Sequence, residues 1–277
     1  TVNQSLQLQW IDKARAPQVI SWLVAAGSGA SLLAYGALVL GWSQFGLSYN
    51  TVYIISGGAT LCIAIFAYFA YPQYQGRSVQ NTRIVLRKRY WLYYALTFMS
   101  GARRQIFMVF AGFLMVEKFN FSVAEISLLL LANAAINVFF APKIGRLIQR
   151  FGERKSLIFE YVGLAFIFIG YAFVESGYFA VFLYIADHLF FSIAIALKTY
   201  FQKIADPADI ASSAGVSFTI NHIAAVFIPV AFGLVWLSSP SLVFLAGSGM
   251  AIVSLILALN MPSKPAFGNE VLLGKFS

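Results

Sequence analysis

The amino-acid sequence predicts an all-α, polytopic membrane protein. Sixty percent of its 277 residues are hydrophobic, only 10% are charged, and the mean hydropathy is +0.78. Soluble domains carry about 25% charged residues. Several apolar runs reach the roughly 18 residues that a helix needs to cross the hydrocarbon core, and they lack the alternation of barrel strands. Helices are therefore expected, because a lipid-exposed backbone must satisfy its own hydrogen bonds.

Eight apolar runs are long enough to span a bilayer, so eight transmembrane helices are predicted. They are Pro17–Gly41, Asn50–Tyr71, Trp91–Val116, Val123–Pro142, Ser156–Val174, Tyr178–Tyr200, Ala211–Leu237 and Ser241–Met261. The longest hydrophilic interruption, residues 72–90, contains five cations, and its last stretch is predicted to lie at the membrane surface.

Positive charge is distributed unevenly among the connections between these runs. With both termini in the cytoplasm, sixteen Lys and Arg residues fall inside or at the inner edge, and only Lys118 falls outside. Lys and Arg are retained on the cytoplasmic side, so this split predicts the orientation. The net charge of +9 follows from this topology and gives no reason to expect nucleic-acid binding.

The sequence contains no pattern typical of an enzyme or a metal site. Cys62 is the single cysteine and lies in an apolar run, which excludes an intrachain disulfide and a cysteine cluster. There is no H-E-x-x-H or G-x-S-x-G motif, and the two histidines fall on different spans. We therefore expect no enzymatic activity, no cofactor and no metal.

A basic segment between the fourth and fifth predicted spans, Gly145–Lys155, carries a recognisable spacing. It resembles the Gly-x-Leu-Ala-Asp-Arg-x-Gly-Arg-Lys loop motif of the major facilitator superfamily. The positions that fit are Gly145, Leu147, Arg150, Gly152, Arg154 and Lys155. Gln149 replaces the aspartate of that motif, and Glu153 intrudes before the terminal basic pair. Such departures are typical of the motif's second copy, between the eighth and ninth spans.

The resemblance implies a particular organisation of the chain. In this family two six-helix halves are joined by a long basic cytoplasmic loop, so the chain looks like spans five to twelve. Residues 1–71 would then be the last two helices of the N-terminal half, 72–90 the central loop, 91–261 the C-terminal half and 262–277 a cytoplasmic tail. The first four helices would be absent from the chain and are a candidate partner. The motif would belong to a cytoplasmic gate, in which Glu160 is expected to pair with loop arginines.

Polar side chains also occur at a similar depth in four predicted spans. Counted at a rise of 1.5 Å per residue, they lie roughly 15–18 Å from the span ends, near the midplane. They are Arg103, Arg104, Gln105, Asn133, Asn137, Asp187, His188, Asn221 and His222. Ionisable groups at this depth cost roughly 2.5–3.5 kcal/mol, so they usually face a cavity or a partner. Secondary transporters bind their substrates at this level.

Each of these groups has a structural alternative. Arg103 and Arg104 point about 100° apart on a helix, so both cannot face one cavity equally. Asp187 could be a structural partner of Arg103, or it could be a protonatable carboxylate beside a titratable His188. The asparagines and His222 could line the substrate pathway or form hydrogen bonds between helices.

The function expected from these patterns is secondary-active transport of a small solute by alternating access. Protons are the expected coupling ion, and the midplane arginines favour an anionic substrate. The expected location is the bacterial inner membrane, with the lipid bilayer around the spans. The alternative is a truncated or split membrane protein that lacks the first four helices and does not transport.

Overall fold

The computed structural model of the chain describes residues 2–70, 79–81 and 86–274. The described part is helical, apart from one isolated β-bridge between Ala266 and Asn269. Its helices are α1 (Val2–Trp10), α2 (Ala16–Phe45), α3 (Tyr49–Ala70), α4 (Trp91–Gln105), α5 (Gly112–Phe119), α6 (Val123–Phe151), α7 (Glu153–Phe173), α8 (Gly177–Phe191), α9 (Ile195–Ile204), α10 (Ile210–Ser238) and α11 (Pro240–Leu259). Arg77, Arg83 and Lys275, which the charge count includes, lie outside the described residues.

Seven of the described helical segments are long and apolar enough to cross a membrane, one fewer than the eight predicted. The prediction Trp91–Val116 is the one without such a helix. It consists of α4, a π-helical segment at Ile106–Ala111 and α5, which follow one another without a break. Arg103 and Arg104 lower the apolar character of this segment. The other seven predictions each coincide with a helix, and α8 and α9 together form the segment predicted at Tyr178–Tyr200.

The connection between α5 and α6 follows from local sequence signals. Asn120 has φ +55° and ends α5 in the left-handed conformation, which asparagine tolerates better than most residues. Ser122 then caps α6 in a capping box with Glu125: each side chain bonds the backbone N–H of the other residue.

The predicted boundaries at Pro142 and Ser156 are wrong, because most of the basic segment Gly145–Lys155 between them is helical. α6 continues through Pro142 to Phe151, and Gly152 alone separates it from α7. Gly152 has φ +83°, which a residue with a Cβ adopts only with strain. The helix continues because a proline removes only one N–H donor and the ladder resumes in the next turn.

Three helix pairs form the main packing of the bundle: α2 lies along α6, α11 along α7, and α10 along α4. Gly145 allows the close approach of α6 to α2, because a Cβ there would lie 2.2 Å from Ser21 Oγ. Gly163 allows the Phe190 ring to lie against α7 in the same way. In contrast, no residue of α3 is buried.

The end of the bundle that contains Gly152 is called the basic end here. At this end the residues before α4 are attached to the start of α10 by Asp209, which accepts hydrogen bonds from Asn81, Arg87 and Tyr90. The tail after α11 folds back across the same end. There Glu270 pairs with Arg89, and the Trp91 indole donates to Gly274 O at 3.0 Å. These contacts fix the position at which α4 enters the bundle.

Candidate functional site

A cavity of about 570 Å³ lies between α1, α2, α4, α6, α10 and the α8–α9 segment. Its volume suits a small organic solute. The polar residues that line it are Gln4, Tyr93, Thr97, Ser100, Arg104, Asn137, His188, Ser192, Lys198, Ser217, Asn221 and His222. Apolar and aromatic side chains cover the rest of the wall, among them Phe107, Phe191 and Phe218.

The charged side chains of the cavity wall are all cations, and two histidines accompany them. Arg104 of α4 and Lys198 of α9 provide two cations, and His188 and His222 provide two imidazoles. No Asp or Glu is among the lining residues. The Arg104 guanidinium also lies 5.8 Å from the centre of the Phe191 ring, a cation–π distance that limits where it can point. An anion in this cavity would therefore meet positive charge without a competing carboxylate.

His188 is held in place by a short polar network from α6. The Asn137 amide Nδ2 lies 2.7 Å from His188 Nε2, and Ser192 Oγ donates to Asn137 Oδ1 at 3.0 Å. Asn137 thus fixes the orientation of the His188 ring.

The α10 side of the cavity is formed by Asn221 and His222. The Asn221 amide donates to Ser217 O at 3.0 Å, and His222 Nδ1 lies 2.8 Å from Phe218 O. Nδ1–H of His222 is therefore the donor to that carbonyl, and Nε2 takes no part in this hydrogen bond. Gly101 lets α4 pass close to Asn221, because a Cβ at Gly101 would lie 2.7 Å from Asn221 Oδ1.

Arg103, next to Arg104, faces away from the cavity into the core between α4, α7 and α8. Its side chain is 1% exposed, and its Nη2 lies 3.9 Å from Oε1 of Glu160, which is fully buried. Asp187 is equally buried, and its charge interacts with those of Arg103 and Glu160. The expectation that Glu160 pairs with loop arginines is therefore wrong. Its partner is Arg103, because Glu160 points into the core and not toward the basic end.

The structure thus brings together five of the nine predicted midplane residues around the cavity: Arg104, Asn137, His188, Asn221 and His222. Arg103 and Asp187 lie in the buried cluster. Asn133 is buried with its amide unpartnered, and Gln105 is half-buried; neither lines the cavity.

Sequence reasoning missed several cavity residues, of which Lys198 carries the most charge. It was counted as a cation of the inner membrane edge. The available signal was its position within the predicted span Tyr178–Tyr200, since an ionisable residue inside a span usually has a functional partner. Ser192 was missed because a serine in an apolar run gives no signal of its own.

The residues of the predicted gate motif lie at the basic end, where they contact neighbouring elements. Gly145 packs against α2, and Gly152 forms the turn. Arg154 donates to Leu259 O at 2.9 Å and so attaches α7 to the end of α11. Arg150 lies beside the Phe151 ring, and Lys155 is exposed.

Glu153, which interrupts the motif, forms an ion pair with Lys203. Its Oε1 lies 2.6 Å from Lys203 Nζ at the end of α9, and its side chain is 2% exposed. The residue by which this segment departs from the family motif, Glu153, therefore connects α7 to α9.

The first fifteen residues are attached to α6 and α9 at the basic end by side-chain hydrogen bonds. Gln202 of α9 donates to Leu8 O at 2.8 Å and to Ile11 O at 2.7 Å. Gln149 of α6 donates to Ala14 O at 3.1 Å. Each is a hydrogen bond from a side chain to a backbone carbonyl, so the attachment consists of a few separable contacts.

The fold and the cavity together define a class of protein: a helical protein with several helices able to cross a membrane, and with a solute-sized cavity between them that polar and apolar side chains line. This is the architecture of a membrane transporter. Residues 1–229 match the family model described as Major Facilitator Superfamily, and the chain belongs to that superfamily. No match was found among curated proteins.

Family membership confirms the predicted resemblance and fold class. The chain is an all-α, multi-pass integral membrane protein and a membrane transporter of the major facilitator type. Its surroundings are accordingly a lipid bilayer, and its substrate is a small solute.

Proposed function

We propose that this transporter moves a small anionic solute by secondary-active transport, with protons as the coupling ion. The observation that carries the proposal is the charge of the cavity wall: Arg104 and Lys198 contribute two cations, and no carboxylate is present among the lining residues. A cavity with this charge repels cations and compensates the desolvation of an anion.

The geometry supports specific roles for the cavity residues. Arg104 can form two parallel hydrogen bonds with a carboxylate or phosphate, and Lys198 acts as a point charge. Asn137, His188, Asn221 and His222 orient the solute by hydrogen bonding, while the aromatic wall contacts its apolar part. A solute with one or two acidic groups on a small organic body fits this arrangement.

Alternating access requires helices on the two sides of the cavity to separate at one end. The segments that would separate are the first fifteen residues and α2 on one side, and α6 and α9 on the other. Hydrogen bonds such as Gln202 to Leu8 O and Gln149 to Ala14 O contribute about 0.5–1.5 kcal/mol each, so a few kcal/mol of substrate binding can offset their loss.

We assign residues 1–71, 72–90, 91–261 and 262–277 to the regions inferred from the sequence. We also place both termini in the cytoplasm of a bacterial inner membrane, from the sixteen-to-one split of the cations.

A ligand screen followed by flux measurement tests the proposal. Purified protein is heated with inorganic phosphate, succinate, benzoate and glucose 6-phosphate, and with neutral and cationic compounds of matched size. We expect stabilisation by one class of anion only, because binding to the native state raises its melting temperature. The best anion is then offered to proteoliposomes in radiolabelled form, with and without a pH gradient.

Variants connect the result to the cavity. Arg104→Gln and Lys198→Gln should each weaken anion binding by about 10- to 150-fold, the equivalent of losing a charged hydrogen bond of about 1.5–3 kcal/mol. Lys143→Gln is the matched control, since Lys143 is an exposed cation of α6 outside the cavity. Stabilisation by cations, or an equal loss in Lys143→Gln, would contradict the proposal.

A further inference from the structure

A second cavity, of about 380 Å³, lies at the end of the bundle opposite the basic end, where α5, α7 and α10 end and α11 begins. The cavity around Arg104 is called the first cavity here, and among the described residues the two share no lining residue. On the continuous segment from α4 to α5, Glu117 follows Arg104 by thirteen residues, roughly 20 Å at a rise of 1.5 Å per residue. The residues that line the second cavity are Leu114, Glu117, Lys118, Tyr171, Ala172, Trp236, Pro240, Ser241 and Phe244.

The buried wall of the second cavity is aromatic. The rings of Tyr171 and Phe244 are stacked with their centres 5.0 Å apart, and the Trp236 ring meets Phe244 edge-on at 6.0 Å. All three side chains are buried and belong to one core cluster, so packing fixes their positions. Leu114 adds an aliphatic side chain to this wall. Such a wall accommodates the apolar part of a small ligand.

Two opposite charges lie on the exposed side of the second cavity. Glu117 and Lys118 are adjacent near the end of α5, and both are exposed. The Trp236 indole Nε1 donates to Glu117 Oε2 at 2.9 Å. Lys118 Nζ donates to Val174 O at 2.6 Å. The carboxylate is thus attached to α10 and the ammonium to the end of α7, so both charges are held at the cavity before a ligand binds.

Both charges keep bonding capacity for a ligand. The ion pairs among the described residues include neither Glu117 nor Lys118. The indole of Trp236 donates to one carboxylate oxygen only, and an ammonium has three N–H donors, of which one is directed to Val174 O. Glu117 can therefore accept from a cationic group, and Lys118 can donate to an anionic one.

This arrangement of charge favours a ligand that carries both signs. A net cation would meet Lys118 and a net anion would meet Glu117, so each would lose at one group what it gains at the other. A zwitterion can place each of its charges beside the opposite one. The first cavity differs, because its lining residues include cations and no carboxylate.

We propose that the second cavity is a binding site for a small zwitterion. Glu117 pairs with the ammonium of the ligand, and Lys118 pairs with its carboxylate or phosphate. The aromatic wall holds the apolar part, and binding changes no covalent bond. An apolar amino acid and the phosphoethanolamine headgroup of a lipid both have this chemistry. The site does not rest on the proposed anion transport and is tested by binding alone.

Competition against radiolabelled phenylalanine, with the purified protein in detergent, tests the charge requirement. Unlabelled phenylalanine should compete. Phenethylamine, which lacks the carboxylate, and 3-phenylpropionate, which lacks the ammonium, should each compete about 10-fold or more less well, because each loses a hydrogen bond between charged groups. An anion that binds only in the first cavity does not displace the label. Competition by either analogue at the strength of phenylalanine would overturn the proposal.

Substitutions of the two charges should change the preference in opposite directions. Glu117→Gln should weaken phenylalanine binding by about 10-fold or more and bring 3-phenylpropionate close to phenylalanine, because the repelling carboxylate is removed. Lys118→Gln should weaken phenylalanine binding similarly but bring phenethylamine close to it. Glu175→Gln is the matched control, since Glu175 is an exposed carboxylate at the same end outside the cavity.

A reversed preference cannot arise from loss of structure, which would weaken all three ligands alike. The comparison of analogues on the native protein needs no substitution, so it decides the matter even if a variant fails to fold. An equal loss of phenylalanine binding in Glu175→Gln would overturn the proposal.

A further variant locates the bound ligand. Arg104→Gln should retain phenylalanine binding, because Arg104 lines only the first cavity. If Arg104→Gln loses this binding and Glu117→Gln keeps it, the zwitterion occupies the first cavity and the proposal is wrong.

Short-chain phosphatidylethanolamine, measured both as a competitor and by direct binding, identifies the source of the zwitterion. Short-chain phosphatidylglycerol is its anionic control. Displacement of the label by phosphatidylethanolamine at lower concentrations than by phenylalanine assigns the site to a lipid headgroup, and the reverse order assigns it to a free amino acid. If the native protein binds neither, the proposal is wrong.

Discussion

The substitution Gly145→Ala tests the close packing of α2 on α6. The added Cβ would lie 2.2 Å from Ser21 Oγ and 2.7 Å from both Ser21 Cβ and Pro17 O. Ordinary van der Waals contact begins at about 3.4 Å. The serine side chain can change rotamer, but the Pro17 carbonyl belongs to the first turn of α2. The backbone of one helix must therefore move away by a few tenths of an ångström or more.

The cost of this movement follows from what the helices lose when they separate. Overpacking by one methyl group destabilises a packed interface by about 1–3 kcal/mol. For a chain of this size, 1 kcal/mol corresponds to about 2–4 °C in melting temperature. Gly145→Ala should therefore melt several degrees below the native protein in a detergent-based thermal shift assay.

Two further variants make the test specific. Gly27→Ala is the matched control, because it adds the same methyl group to α2 at a place where the new Cβ meets nothing within 4 Å. Ser21→Gly combined with Gly145→Ala should recover part of the lost stability, since Pro17 O still opposes the new Cβ. A melting temperature of Gly145→Ala equal to that of Gly27→Ala would refute the packing argument.

Three other predictions concern the basic end. Gly152→Ala should destabilise the protein by about 1–2 kcal/mol in the same assay, because φ +83° strains a residue with a Cβ although the space is free. Lys203→Met should lower the melting temperature because it leaves Glu153 buried without its cation, at a cost of about 1–3 kcal/mol. Acid should release the tail, which hydrogen exchange of residues 266–274 would measure. Burial raises the pKa of Glu270, but hydrogen bonds from Arg89 and the Gly268 N–H outweigh this effect and hold the pKa below its ordinary value. The stabilisation is thus complete above the unfolded pKa and is lost as pH falls through the folded one.

Each of these predictions has a control. Gly215→Ala adds a methyl group in free space within α10 and should leave stability unchanged or slightly raised. Glu153→Gln in the Lys203→Met background should recover much of the loss; if it does not, the buried charge is not its cause. Glu270→Gln should remove the acid dependence of tail exchange, and an unchanged pH profile would contradict the assigned role of this carboxyl.

The positions of the helices could be predicted from the sequence because hydrophobicity and length are local properties. The end of α6 was missed at Pro142, since a proline within an apolar run signals a boundary more often than a continuation. The divided segment at Trp91–Phe119 was not foreseen either. A π-helical segment depends on how its side chains pack against other helices, and a single sequence does not contain that information.

The candidate site was predictable in composition but not in arrangement. Helical periodicity predicts that the side chains of Arg103 and Arg104 point in different directions. The rotation of α4 about its own axis decides which of them faces the cavity. That rotation is set by its packing on α10 and α11. The same reasoning applies to Asp187 and His188. Glu160 was paired with the loop arginines because the resemblance implied a gate, and the sequence alone does not give the direction of its side chain.

The π-helical segment at Ile106–Ala111 changes how α4 and α5 depend on each other. A π-helical turn is an α-helical turn that contains one additional residue. The chain therefore holds a surplus residue just after Arg103 and Arg104, between the charged part of the segment and the part that ends at Asn120. If one residue is deleted within Ile106–Ala111, the π-helical segment can become α-helical. The side chains of α4 and α5 then keep the directions in which they point. The length of this span is thus adjustable at one place, and that place closely follows Arg103, which pairs with the buried Glu160, and Arg104, which lines the cavity.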